Sequence, residues 1–89
     1  MDNWTKLKNL YERDHLSKVL TSPQTRMNAM IRIEKLFLQH FPHIIKQPKF
    51  LKQIPKEQFM KEVKLKKGSN LNSSEESVIH GLYKFLPEL

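Results

Sequence analysis

Apolar residues recur three and four positions apart along most of this chain, the spacing of amphipathic helices. In the first 20 residues, charged side chains separate the members of this stripe, which are Trp4, Leu7, Leu10, Tyr11, Leu16 and Leu20. The pattern predicts a first helix over residues 3–19, docked by its Trp4 face. We therefore assign residues 1–20 to an N-terminal helix that packs on or extends the domain, and residues 21–89 to the main helical domain.

Five prolines divide the rest of the chain into helices of unequal length, because proline starts helices easily and breaks their interiors. Ser22 before Pro23 predicts the start of a second helix, which is apolar around more than half of its circumference and ends at Phe41. We expect it to be the most buried helix. Short helices should follow at 43–46 and 48–53, then a fuller one at 55–63.

A polar turn at 66–70 precedes the last predicted helix, over residues 74–86. Ser73 with Glu76 three positions later has the form of a capping box, which satisfies unpaired donors at a helix start. Phe50 and Phe59 are expected in the core. The sequence predicts an all-α fold, a compact multi-helix domain of about five helices with short proline-initiated helices between longer amphipathic ones.

The composition fits one small core without covalent cross-links. Of the 89 residues, 38% are hydrophobic and none is cysteine, so packing alone must hold the fold. No apolar run approaches the roughly 18–20 residues that span a bilayer, and the N-terminus lacks the apolar segment of a signal peptide. We expect no membrane association and an intracellular location, in the cytoplasm or the nucleus.

The residue types give no grounds for predicting catalysis, a cofactor or a metal site. Two glycines cannot form a glycine-rich phosphate loop. Of the four histidines, His40 and His43 lie three positions apart but flank Pro42, which is a poor spacing for zinc. Glu75 and Glu76 are better explained by helix capping than by acid–base chemistry. We expect a protein that is not an enzyme and that binds neither cofactor nor metal.

The net charge of +7 is concentrated in one region. Half of the 16 basic residues lie between positions 46 and 67, where only Glu57 and Glu62 oppose them. These basic residues are Lys46, Lys49, Lys52, Lys56, Lys61, Lys64, Lys66 and Lys67. One alternative for the function is therefore a small basic regulatory protein that binds nucleic acid through this region.

From residue 33 to residue 86 the sequence also resembles a known family. The residues that carry the resemblance are Phe37-Leu38-Gln39-His40-Phe41, Ile44-Ile45, Phe50-Leu51, Ile54, Glu57-Gln58-Phe59-Met60, Leu71, Ser74-Glu75-Glu76-Ser77-Val78 and Leu82-Tyr83-Lys84-Phe85-Leu86. This pattern is similar to the BACK domain, the helical module that follows BTB domains in BTB-Kelch proteins. The stretch before Leu36 is too short for a BTB domain, so we expect a solitary BACK-like domain or a fragment of a longer protein.

The resemblance implies a scaffold or adaptor that binds another protein, related to substrate adaptors of cullin-3 ubiquitin ligases. The surface that it implies is built around residues 27–41, with Arg26, Arg32, Gln39 and His43 as candidate contacts. The apolar face of the first helix, with Trp4, Leu7 and Tyr11, is a further candidate and could pair two copies of the chain. A protein partner is thus the leading hypothesis, with a homo-oligomer compatible with it.

Overall fold

The computed structural model describes residues 2–17 and 23–89, with the side chains of residues 15–17 and 23 outside that description. All regular structure in these ranges is helical, which confirms the predicted all-α class. There are five α-helices in the described ranges: α1 (Asn3–Ser17), α2 (Pro23–His40), α3 (Pro42–Lys46), α4 (Lys56–Lys67) and α5 (Ser73–Phe85). Two 3-10 helices, Pro48–Gln53 and Leu86–Glu88, complete the fold.

Proline sets the helix starts in the first half of the chain, as expected. Pro23 is the first residue of α2, Pro42 begins α3, and Pro48 begins the first 3-10 helix. In these positions the missing N–H would have no helical partner anyway, so proline costs little there. The predicted cap at Ser22 and the stripe residues Leu16 and Leu20 lie outside the described side chains.

Helix α4 extends beyond the predicted end at Val63 to Lys67. The lysines that suggested a polar turn are good helix formers, so the helix continues through them. It ends at Gly68, whose φ of 80° lies in the left-handed region that favours glycine. The turn that joins α4 to α5 therefore begins at Gly68 rather than at Lys66.

The capping box of α5 is present, but its position differs from the prediction by one residue. The cap is Asn72, whose side chain accepts a hydrogen bond from the Glu75 N–H at 2.8 Å. Glu75 in turn accepts a hydrogen bond from the Asn72 N–H at 3.0 Å. The predicted pair of Ser73 and Glu76 is wrong, because the chain already enters the helix at Ser73.

One buried cluster joins all the longer helices. Its centre is aromatic: the Phe37 ring lies 5.8 Å from Trp4, 5.9 Å from Phe41 and 5.4 Å from Phe59, measured between ring centroids. Tyr83 adds a fifth ring, 6.2 Å from Phe59. Such tilted and edge-on pairs add about 0.5–1.5 kcal/mol each beyond the burial of their area. Residues of α1, α2, α4 and α5 thus share one core.

Helices α1 and α5 approach closely at Gly81. A Cβ atom at Gly81 would overlap the Tyr11 ring, so this position of α5 accommodates only glycine at the observed separation. Glycine costs about 1 kcal/mol relative to alanine inside a helix. The close packing of Tyr11, which is only 5% exposed, offsets that cost.

Candidate interaction surfaces

The apolar face of α1 is directed into the core. Leu7 is fully buried, and Trp4 and Tyr11 are each 5% exposed. The Trp4 indole N–H donates a hydrogen bond to the Glu34 carboxylate of α2, and Lys8 forms an ion pair with the same carboxylate at 2.8 Å. Helix α1 thus packs on the core through its Trp4 face, and these three side chains do not form an exposed partner surface. Pairing of two copies through them would require α1 to leave its own core.

Glu34 is therefore an anchor for α1. Burial alone would raise the pKa of this carboxyl, but hydrogen bonds from Lys8 and Trp4 together with the charge of Lys8 outweigh it and lower the pKa below 4.5. The charged carboxylate is thus the form that the docked α1 favours.

The four candidate contacts suggested for the α2 region have different surroundings. Gln39 and His43 are exposed, and the His43 ring lies 6.0 Å from the Phe50 ring. Arg26 is partly buried and donates a hydrogen bond to the Tyr11 hydroxyl at 3.4 Å. Arg32 is held by Glu75 at 3.1 Å, although its side chain is 48% exposed. Of these four residues, only Gln39 and His43 are exposed without a side-chain hydrogen bond or ion pair to another described residue.

Glu75 is a buried carboxylate that connects three elements. Its side chain is 3% exposed and accepts hydrogen bonds from Lys67 at 2.7 Å, from the Asn72 N–H at 3.0 Å and from Arg32 at 3.1 Å. Burial pushes its pKa upwards, but these three donors and the charge of Lys67 together lower the pKa below 4.5. The cluster fixes the end of α4, the start of α5 and the side of α2 relative to one another.

A different part of α2, the helix expected to be the most buried, exposes apolar side chains. Met27, Ile31 and Leu38 are 46%, 50% and 54% exposed. Positions spaced by four and seven lie within about 40° of one another around an α-helix, so the three side chains form one line, here called the α2 stripe. Helix α2 is therefore not buried all round, because its apolar residues cover more of its circumference than the neighbouring helices do.

Phe50 is a further residue whose exposure differs from the prediction. It was expected in the core and is 42% exposed, whereas Phe59 is buried as predicted. The 3-10 helix places Leu51 and Pro48 inward, and Phe50 is left on the outer side. Leu65 is also exposed, at 79%, on α4.

The structure divides the lysine-rich region into two groups. Lys67 is committed to Glu75, and Lys64 lies 4.0 Å from Glu76. The remaining six are exposed, and none of them forms an ion pair with another described residue: Lys46, Lys49, Lys52, Lys56, Lys61 and Lys66. Exposed lysines with no internal partner are available to an acidic ligand.

Three open hollows lie in series along α4. The first, of about 440 Å³, includes Lys52, Ile54, Lys56 and Tyr83; the second, of about 330 Å³, lies between α4 and α5. The third, of about 670 Å³, is at the C-terminal end of α4. Neighbouring hollows share lysines: Lys56 lines the first two, and Lys61 and Lys64 line the last two.

The described residues contain no group of three His, Asp or Glu side chains placed to hold a metal ion. None of the helices described is both long and apolar enough to cross a membrane. No protein-family model, curated protein or solved structure matches the chain. The similarity to the BACK domain therefore stays a prediction from the sequence.

Proposed function

We propose that this chain is a protein-interaction module, a BACK-like scaffold or adaptor without catalytic activity, whose partner binds the α2 stripe. The observation that carries the proposal is the alignment of three large, half-exposed apolar side chains, Met27, Ile31 and Leu38, on one line of a packed helix. Single exposed apolar residues such as Leu65 are ordinary on protein surfaces. Three such residues in a line are different, because a partner that covers them buries their apolar surface at one continuous site.

The spacing of the stripe favours a helical partner. Positions 27, 31, 34 and 38 repeat with intervals of four, three and four, the seam along which helices pack against each other. Glu34 is the one polar residue among these four positions, and its carboxylate already accepts a hydrogen bond from Trp4 and forms an ion pair with Lys8. The stripe rises about 16 Å along α2, about three turns of a partner helix.

The BACK-like pattern supports the same region, since the surface that it implies is built around residues 27–41. An adaptor of cullin-3 ubiquitin ligases is the finer form of the proposal, and it rests on the resemblance alone. The nucleic-acid hypothesis for residues 46–67 concerns a different surface and stays a prediction.

Paired substitutions on α2 test the proposal. Ile31→Glu with Leu38→Glu places two charges on the stripe, while Thr25→Glu with Asn28→Glu places the same two charges on exposed positions of the same helix away from it. Both double variants should unfold at nearly the same temperature as the parent chain, because exposed substitutions usually change stability by less than about 0.5 kcal/mol.

Affinity capture from cells, with the recovered proteins identified by mass spectrometry, gives the readout. We expect a discrete protein to be recovered with the parent chain and the control variant and to be lost with the stripe variant. If the protein recovered by the parent chain and the control variant, and lost with the stripe variant, is a cullin-3 complex, the result would support the role as a ubiquitin-ligase adaptor. Equal recovery with both variants, or no recovered protein at all, would contradict the proposal.

A further inference from the structure

Three of the lysines on α4 do more than surround it with charge, because each of them lies where two hollows meet. Lys56 separates the first hollow from the second, and Lys61 and Lys64 separate the second from the third. The surface therefore alternates between basic boundaries and depressions along the whole helix. We call this surface, with Lys52, Lys56, Lys61 and Lys64, the lysine track.

Each depression of the track also presents apolar material. Ile54 and Tyr83 line the first, Met60 the second, and the exposed Leu65 the third. The Tyr83 hydroxyl donates a hydrogen bond to the Ile54 carbonyl at 2.9 Å, which fixes the wall of the first depression. Burial and then the charge of Glu62 raise the pKa of Tyr83 to about 12, so its hydroxyl stays protonated and can donate this hydrogen bond.

We propose that the lysine track binds an extended acidic peptide segment of a partner protein in which pairs of apolar residues alternate with pairs of carboxylates. Successive side chains of an extended peptide point to opposite sides, so the side that faces the track presents an apolar residue and a carboxylate in turn. Apolar side chains would occupy the depressions, and carboxylates would meet the lysine heads at their boundaries. From Lys56 to Gly68 the track rises about 18 Å, which an extended peptide covers with about five to six residues. This surface is separate from the α2 stripe, so the proposal goes beyond the function proposed above.

The chemistry of the track favours a peptide over a nucleic acid. Grooves for single-stranded nucleic acid combine basic side chains with aromatic platforms on which bases stack. Tyr83 is the one Phe, Tyr or Trp residue among those lining the three hollows, and its hydroxyl bond to Ile54 holds the ring in the wall; the imidazole of His80 lines the middle hollow. Two carboxylates, Glu57 and Glu76, line the middle hollow and would face any continuous row of phosphates. A peptide that carries a neutral residue at that point avoids them.

Fluorescence anisotropy with three labelled probes tests the proposal. The probes are a peptide of about ten residues that alternates pairs of glutamates with pairs of leucines, an oligoglutamate of equal length and an oligothymidylate of about the same extended length. We expect the alternating peptide to bind more tightly than the other two and to retain part of its affinity at high salt, because apolar contacts are not screened.

Matched lysine variants locate the site. Lys56→Gln with Lys61→Gln should lower the affinity for the alternating peptide by about threefold to tenfold, since each exposed ion pair contributes only modestly to binding. Lys46→Gln with Lys49→Gln removes the same charge away from the track and should change the affinity by less than about twofold. Glu57→Gln should raise the affinity for the alternating peptide. Leu65→Ser should lower that affinity while leaving the affinity for oligoglutamate unchanged.

Three results would overturn the proposal. Tighter binding of oligothymidylate would assign the surface to nucleic acid. An equal loss with both pairs of lysine variants would show attraction by net charge without a site. Absence of binding by the alternating peptide would remove the track as a peptide site. None of these results bears on the α2 stripe, because no variant in this set lies on α2.

Discussion

Glu75 shows how one side chain can connect distant parts of the chain. Its carboxylate joins Lys67 and Asn72, which are close in sequence, to Arg32, which is 43 positions away. A buried carboxylate is stabilising only when its partners are retained, since an unpaired buried charge is costly. Lys67 and Arg32 are therefore structural residues. Substituting Lys67 to test ligand binding would disturb the fold as well.

We predict that Glu75→Gln destabilises the protein by about 2–3 kcal/mol near neutral pH, because three donors lose a charged acceptor. The pKa of Glu75 is lowered in the folded state, so its stabilisation is present above its ordinary pKa of 4.5 and is lost as the pH falls through the folded value. The difference between parent and variant should therefore shrink in acid. Urea unfolding at about pH 7 and about pH 3 measures both quantities.

Glu76→Gln is the matched control. This neighbouring carboxylate lies 4.0 Å from Lys64 and is 40% exposed, so its loss should change the free energy of unfolding by less than about 0.5 kcal/mol. Equal effects of the two substitutions would contradict the structural role assigned to Glu75.

At the scale of single elements, the start of α5 shows which of two possible capping residues the helix uses. Asn72, Ser73, Ser74, Glu75 and Glu76 contain two overlapping capping boxes, one residue apart. Sequence spacing favours neither. The structure chooses Asn72 because that register places Glu75 inward, towards Lys67 and Arg32, and leaves Glu76 on the surface.

We predict that Asn72→Ala lowers the free energy of unfolding by about 1 kcal/mol, the usual cost of losing a helix cap. Ser73→Ala should have little effect, because alanine is well tolerated inside the first turn. Thermal unfolding of the two variants, followed by circular dichroism, compares them directly. A larger loss for Ser73→Ala would restore the register predicted from sequence.

Element by element, the sequence predicts buried positions better than exposed ones. The inward faces of α4 and α5 follow the helical spacing: Phe59 is buried as expected, and Val63, Val78 and Leu82 are buried with it. The exposure of Ile31, Leu38 and Phe50 could not be predicted, because it depends on which helices cover them in the folded chain. The spacing that aligns the α2 stripe was visible in the sequence, but a buried face has the same spacing.

Contacts between distant residues explain most of what sequence reasoning missed at the candidate surfaces. The bonds from Trp4 to Glu34 and from Arg32 to Glu75 join residues 30 and 43 positions apart. Composition identified the lysine-rich region correctly. Only the folded arrangement separates Lys67, which is paired inside the fold, from Lys56 and Lys61, which border open hollows.

At the scale of the whole molecule, α1 belongs to the same core as the rest. Trp4 packs on Phe37 and is bound to Glu34, so undocking α1 would expose the centre of the aromatic cluster. A single domain of this size is expected to unfold in one cooperative step. The described residues of 1–20 and of 21–89, two ranges separated on the sequence pattern, are thus joined through shared side-chain contacts.

We predict that α1 unfolds together with the rest of the domain. Trp4 is the only tryptophan, so its fluorescence reports the docking of α1, while circular dichroism reports all helices. In a urea titration the two transitions should coincide. A tryptophan transition at clearly lower urea would show that α1 undocks separately, as exchange of α1 between two copies would require.

The central claim is that the α2 stripe contacts a protein partner, and site-specific photo-crosslinking in cells tests it most directly. Benzoylphenylalanine is introduced in place of Leu38, on the stripe, or in place of His40, which is exposed on another face of the helix. The account predicts a discrete crosslinked protein from the Leu38 position and none from the His40 position. Equal crosslinking from both positions, or none from Leu38, would contradict it.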